Sequence, residues 1–228
     1  MSDIHSLQNL TVVVTGANGA LGRAVVAAAL ARGAQVVGVD VHFEEGPTAA
    51  GERRVAVDLT DAAQTSAAFA ALGEFAVLCN VAGGFAMGEP AFDPGENWDA
   101  MFRINVETMR NATRAAVPVL RQRGGGSIVN IGAVSAREGQ PNMAAYCAAK
   151  STVMRLTESM GKELRKHRIN VNAVLPSIID TPRNRADMPD ADFSRWVTPA
   201  SLADVILFLA SPAARDIHGA LLPVVGRS

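Results

Sequence analysis

The 228-residue chain is poor in aromatic side chains, lysine and cysteine. Aromatic residues make up 5% of it and include a single tyrosine, Tyr146. Its only lysines are Lys150, Lys162 and Lys166, so arginine carries most of the positive charge. The two cysteines, Cys79 and Cys147, lie far apart and form no C-x-x-C motif. That spacing excludes a disulfide framework and fits reduced thiols in a cytoplasmic protein. Four histidines, His5, His42, His167 and His218, show no ligand spacing, so no metal site is expected. Neither sign of charge is in surplus: 21 Lys and Arg against 22 Asp and Glu leave −1, which argues against a nucleic-acid partner. The densest basic run, Arg165-Lys166-His167-Arg168, closes a helical stretch, where it complements the helix dipole. No apolar run approaches the roughly 18 residues of a membrane span. The longest candidate, Ala24–Ala31, is bounded by Arg23 and Arg32, and Met1–Leu10 lacks the apolar core of a signal peptide. With 49% hydrophobic and 19% charged residues, the composition is that of a globular protein, and the length predicts one domain over 1–228.

Short β-branched runs alternate with segments of helical period, the pattern of an α/β fold with a parallel sheet. Strands are predicted at Thr11–Thr15, Gln35–Asp40, Arg54–Asp58, Phe75–Asn80, Ser127–Ile131, Asn170–Leu175 and Ala220–Val225. Helices are predicted near Ala20–Arg32, Asp61–Leu72, Asn97–Arg123, Asn142–Lys166 and Pro199–Ser211. Two longer loops, Val81–Glu96 and Pro176–Thr198, follow the fourth and sixth strands. Ligands of open parallel sheets bind outside the carboxyl ends of the strands, where both loops lie.

The first strand runs into Thr15-Gly16-Ala17-Asn18-Gly19-Ala20-Leu21-Gly22 and then a helix. Such glycines allow a tight turn, close approach of the backbone to a pyrophosphate, and close helix–strand packing, while the helix N-terminus offers free N–H donors. The second strand ends in Asp40-Val41. A carboxylate there binds the adenosine ribose hydroxyls and repels a 2′-phosphate, so NAD(H) is the expected cofactor. NADP(H) is the alternative, with Arg23 the one nearby basic residue. The third strand ends in Asp58-Leu59, where the acid is equally well read as a cap for the next helix. The fourth ends in Asn80-Val81-Ala82-Gly83-Gly84, small residues that let the backbone approach a ligand.

Lys150 stands four residues after the lone tyrosine, so on a helix the two share one face. An ammonium beside a phenol, near a cationic oxidised nicotinamide, is expected to draw the phenol pKa below its usual value of about 10. Such a phenol can give or take a proton as hydride moves. Asn105 falls on the buried stripe of its helix, where its amide needs partners. It either holds a water that relays protons to Lys150 or bonds backbone in the core.

Thr15-Gly16…Gly19…Gly22, Asn80-x-Ala82-Gly83, Asn105, Tyr146-x-x-x-Lys150 and Pro176-x-x-Ile179-x-Thr181 together resemble the short-chain dehydrogenase/reductase family over the whole chain. The resemblance implies a doubly wound Rossmann fold with a seven-stranded parallel sheet in the order 3-2-1-4-5-6-7 and a nicotinamide cofactor. It implies Tyr146 as acid/base, Lys150 on the nicotinamide ribose, and Asn105 completing a proton relay. Ile179 and Thr181 would hold the carboxamide and the pyrophosphate. It also implies a homodimer or homotetramer built on the Tyr146 helix and the Asn97–Arg123 helix, although the small residues Ala144, Ala145, Ala148, Ala149 and Ser151 suit packing on the chain's own sheet equally well.

Three departures stand out. Gly19 and Ala20 exchange the usual glycine spacing, Ser177 replaces a glycine after Pro176, and Ala133 occupies the place of the serine that polarises the substrate carbonyl. The nearest hydroxyl is Ser135. The segments from Leu78 to Phe85 and from Leu175 to Trp196 resemble dihydropteridine reductases, a branch that also lacks that serine. Three readings stay open: a reductase of small carbonyl or quinonoid compounds, a ketone or 3-oxoacyl reductase or alcohol dehydrogenase using Ser135, and a nucleotide-sensing protein without turnover.

Overall fold

The computed structural model describes residues 6–44, 46–88 and 96–227. His5 and the part of the predicted Val81–Glu96 loop from residue 89 to 95 lie outside the described residues. Seven strands, β1 (Thr11–Thr15), β2 (Gln35–Asp40), β3 (Glu52–Ala56), β4 (Val77–Asn80), β5 (Gly126–Ile131), β6 (Ile169–Pro176) and β7 (Leu221–Val224), form one sheet. Its order is β3-β2-β1-β4-β5-β6-β7, and every adjacent pair is parallel.

Strand alternation sorts the core into two layers. Val12 and Val14 point to one face, where α1 (Ala20–Ala31) and α7 (Pro199–Ala210) cover them with Val25, Leu202 and Ile206. Val13 and Leu78 point to the other, beneath Phe69 of α2 (Ala62–Ala70) and Ala116 and Leu120 of α4 (Thr108–Arg123). On the same side α5 (Ala144–Glu163) packs over β6 and against α3 (Glu96–Phe102). Burial on both faces explains why the central strands read as apolar runs.

The structure moves several predicted boundaries. β3 lies two residues earlier than expected and carries Glu52, Arg53 and Arg54, because an edge strand is wetted along one side. The predicted Asn97–Arg123 helix is interrupted at Arg103–Glu107 by a π-helical turn that separates α3 from α4. The basic run after α5 is a 3₁₀ turn, Arg165–His167, closed by Arg168 at φ 57°. The Pro176–Thr198 loop contains a short helix, α6 (Pro182–Asp187), and a 3₁₀ turn at Phe193–Arg195. Because all strands are parallel, the segments after β1, β2, β3, β4, β5 and β6 emerge at one edge of the sheet. The order reverses there between β1 and β4, which is where such sheets open a crevice.

Candidate functional site

The turn after β1 is shaped by what cannot fit in it. Gly16 has φ +65°, and a Cβ there would come within 2.7 Å of the Ala82 backbone. A Cβ on Gly22 would collide with the Gly16 carbonyl oxygen, so that glycine lets α1 sit hard against the turn. A Cβ on Gly19 would meet only the Gly16 oxygen, at 3.4 Å, so this glycine faces open space. The helix that follows has no side-chain cap, whereas Asp61 caps α2 and Thr198 caps α7. Arg23 is the first residue of α1 whose N–H bonds back, to the Gly19 carbonyl at 2.9 Å. The N–H groups of Ala20, Leu21 and Gly22 are left at a positive helix end beside a space cleared of side chains. That is a fit for a pyrophosphate.

Asp40 stitches this turn to β2: its carboxylate accepts the N–H of Asn18 at 2.9 Å and of Val41 at 2.8 Å. Arg23 is held by Asn18, through the backbone carbonyl and the side-chain oxygen, both at 2.8 Å. Asp58 accepts from the Thr60 N–H and hydroxyl and does not cap α2, a task that falls to Asp61. Leu59 is buried, and its carbonyl accepts from Asn111 at 2.9 Å. Thr15, quoted in the first motif without a role, accepts the Ala82 N–H at 3.1 Å and so ties the turns after β1 and β4 together. Asn80 donates to Thr113 and to Asn130, and Asn130 donates to Thr157 on α5. These links could have been suspected from asparagines in the middle of apolar strands. The loop after β6 is also braced: Ile179 bridges Val197, Thr181 caps α6, and Pro176 closes β6 in a buried position.

Across the crevice stand the residues of the chemical half. Tyr146 and Lys150 are one turn apart on α5, with the Lys150 Nζ 6.0 Å from the centre of the phenol ring. Lys150 is buried and donates to the Ile131 carbonyl at 2.9 Å, a partner on the end of β5 with no side-chain signal in the sequence. Asn105, buried at the centre of the π-helical turn, accepts the Gly84 N–H at 3.1 Å and donates to the Gly84 and Met101 carbonyls, each at 3.0 Å. Its amide therefore bonds backbone in the core. A Cβ on Gly83 would come within 2.8 Å of the Asn105 oxygen and 3.4 Å of the Lys150 Nζ, so Gly83, Asn105 and Lys150 meet at one point.

The chain's own groups raise the phenol. Burial, and secondarily the neighbouring Cys147 thiol, push Tyr146 up to about 12. Burial pushes Lys150 down to about 8, since desolvation disfavours the charged ammonium. Ala133 is buried against an apolar cluster that includes Cys147, Leu175 and Tyr146. Ser135 lies in the 3₁₀ turn Val134–Arg137, which is tied to α5 by the Cys147 thiol on the Ser135 carbonyl and the Ser151 hydroxyl on the Ala136 carbonyl. Cys147 and Ser151 face about 100° around the helix from Tyr146 and Lys150. Among the described residues no group of His, Cys, Asp and Glu could hold a metal ion, and no helix is long and apolar enough to cross a membrane.

The short chain dehydrogenase family model matches residues 10–192. The 2-(S)-hydroxypropyl-CoM dehydrogenase 3 of Xanthobacter autotrophicus is 29% identical, with 97% of each chain covered. A second protein of that organism, described as an inactive 2-(S)-hydroxypropyl-CoM dehydrogenase 2, is 35% identical over 75% of this chain and 83% of its own. The crystal structure of a gluconate 5-dehydrogenase from Burkholderia cenocepacia, in complex with NADP and tartrate, superposes with a TM-score of 0.90 at 29% identity, covering 98% of this chain and 96% of that one.

Proposed function

The chain belongs to the short-chain dehydrogenase family and is an NAD(P)-dependent oxidoreductase, and we propose that it transfers hydride to a small carbonyl or quinonoid substrate with Tyr146 as its acid/base. The observation that carries this reading is the Tyr146–Lys150 pair, one helical turn apart, with the lysine meeting Gly83 and Asn105. A binding protein would have no use for a phenol with a buried ammonium beside it.

In this reading Gly16, Asn18, Gly19, Ala20, Leu21 and Gly22 would hold the pyrophosphate of the cofactor, Asp40, Val41, Asp58 and Leu59 its adenosine, and Asn80, Ala82, Gly83, Pro176, Ile179 and Thr181 its nicotinamide end. The bound nicotinamide supplies the hydride. Tyr146, held protonated by burial, gives its proton to the substrate oxygen. Lys150, fixed by the Ile131 carbonyl, orients the ribose and stabilises the phenolate that forms. Asn105 holds Gly84, and through it the loop after β4, in place. Asp40 favours NAD(H), since a 2′-phosphate would meet its carboxylate. The reading extends to a cytoplasmic homodimer or homotetramer.

Ala133 favours the quinonoid side of the substrate range, the dihydropteridine-reductase-like reading, because an electrophile that gains conjugation on reduction needs no second hydrogen-bond donor. It is also the one observation that favours a silent nucleotide sensor. NADH oxidation against simple ketones, 3-oxoacyl thioesters and a quinonoid dihydropterin tests the proposal. Turnover of at least one class is expected, with a fall of about 10²–10⁴ in kcat for Tyr146→Phe. A variant with full activity would remove Tyr146 from the chemistry, and best activity on 3-oxoacyl thioesters would make Ser135 the donor.

A further inference from the structure

Phe85 is the residue of this site that no part of the proton chemistry uses. Its ring packs edge-on against that of Tyr146, with centroids 4.9 Å apart and planes at 85°, yet 37% of the residue remains exposed. Its position is imposed rather than adopted. The preceding residue, Gly84, is bonded in both directions to the buried Asn105 amide, and a Cβ there would come within 3.1 Å of Ile104. Gly83 is barred from a side chain by Asn105 itself. The loop is therefore pinned one residue before Phe85, and the half-open ring is presented beside the phenol that meets the substrate.

Apolar side chains flank the phenol on two sides. Tyr146 packs against two clusters, one around Met101 and Ala149 and the other around Ala133 and Leu175. The arginines of the loop after β6 have partners already. Arg185 makes two bonds to Asp180, at 2.6 and 2.8 Å, and lies over the Phe193 ring, while Arg183 pairs with Asp187. Neither guanidinium could take a carboxylate or sulfonate of the substrate without giving up its acid.

Resting on the reading of Tyr146 as acid/base, we propose that Phe85 determines specificity and that the site selects carbonyl compounds whose neighbouring group is flat, apolar and uncharged. An aryl group meets the exposed part of the Phe85 ring in the offset or edge-on contacts that aromatic pairs prefer. A polyol chain would leave its hydroxyls against apolar walls without partners, which lowers its transition-state binding.

The test compares kcat/KM of the wild type, with NADH, for 1-phenyl-1,2-propanedione, 2,3-butanedione, L-xylulose and 5-keto-D-gluconate. The diketones are chosen because the second carbonyl activates the first where Ala133 offers no donor. The phenyl diketone is expected to be the best of the four. Phe85→Ala is expected to lower its kcat/KM about tenfold more than that of 2,3-butanedione, chiefly through KM. A merely structural role would lower both diketones together, and that result, or a preference for L-xylulose or 5-keto-D-gluconate, overturns the inference while leaving Tyr146 in place. Turnover of none of the four by protein that still reduces a quinonoid dihydropterin overturns this inference and leaves the acid/base reading in place, whereas turnover of neither these nor the dihydropterin by protein that binds NADH overturns both.

Discussion

Replacing Lys150 by methionine should stabilise the folded chain near neutral pH and lose that advantage in alkali. The ammonium is 6% exposed and pushed down from 10.5 to about 8 by burial alone. Folding therefore works against a proton that the unfolded chain holds freely. A drop of this size corresponds to about 3 kcal/mol of destabilisation, in full below pH 8, where both states are charged. Between pH 8 and 10.5 the unfolded chain binds more protons than the folded one, so the wild type gains stability as pH rises. By pH 9.5 about 1 kcal/mol of the penalty remains. Methionine keeps the unbranched stem of the side chain and removes the ammonium, but it also leaves the Ile131 carbonyl without its donor, a loss of about 1–3 kcal/mol. That loss is the same at both pH values and cancels in the comparison. Urea denaturation of the cofactor-free protein, followed through Trp98 and Trp196 at one chain concentration, should show the difference between variant and wild type shrinking by about 2 kcal/mol from pH 6.5 to 9.5. A difference that is constant, or that grows with pH, would refute the buried ammonium as the source.

Two further outcomes concern the ends of the crevice. Asp40→Ala should narrow the preference for NADH over NADPH, read as the ratio of the two dissociation constants from fluorescence titration; an unchanged ratio would make Asp40 only the stitch between Asn18 and Val41. Ala133→Ser should raise kcat on a simple ketone by about tenfold or more while changing turnover of a quinonoid substrate little, since one donor to a developing oxyanion is worth about 10²–10³ where it is fully preorganised; equal effects on both substrates would separate the missing hydroxyl from substrate choice.

The parallel sheet and its helices were legible because burial on both faces writes apolar runs into β1, β2 and β4, and because glycines mark the one turn where side chains collide. The errors lie where a second constraint overrides the pattern. β3 is an edge strand, so its polar outer side hid its first two residues. The π-helical turn at Arg103–Glu107 has the composition of the helix around it and is invisible to periodicity; what marks it is the Asn105 amide bonding back to Met101 and across to Gly84. α6 was hidden in a loop because six residues with a proline at their start carry no helical period, although Thr181-Pro182 is a capping signal in its own right.

At the site, the sequence names the side chains but not the backbone that holds them. Lys150 is anchored by a carbonyl, Asn105 by an N–H and two carbonyls, and Asp40 by two N–H groups, and none of these partners depends on residue type. The direction of the phenol's shift follows for a related reason. A lysine at i+4 lowers a tyrosine only where solvation leaves both groups their charges. Here α5 turns both toward the protein, and desolvation moves each toward its neutral form. In the reading proposed above, a phenol kept neutral by burial can donate a proton without first losing one, while the reverse reaction needs positive charge brought to the pair. On that reading the fold supplies the proton and the geometry, and the charge that would run the site backwards would arrive with the cofactor.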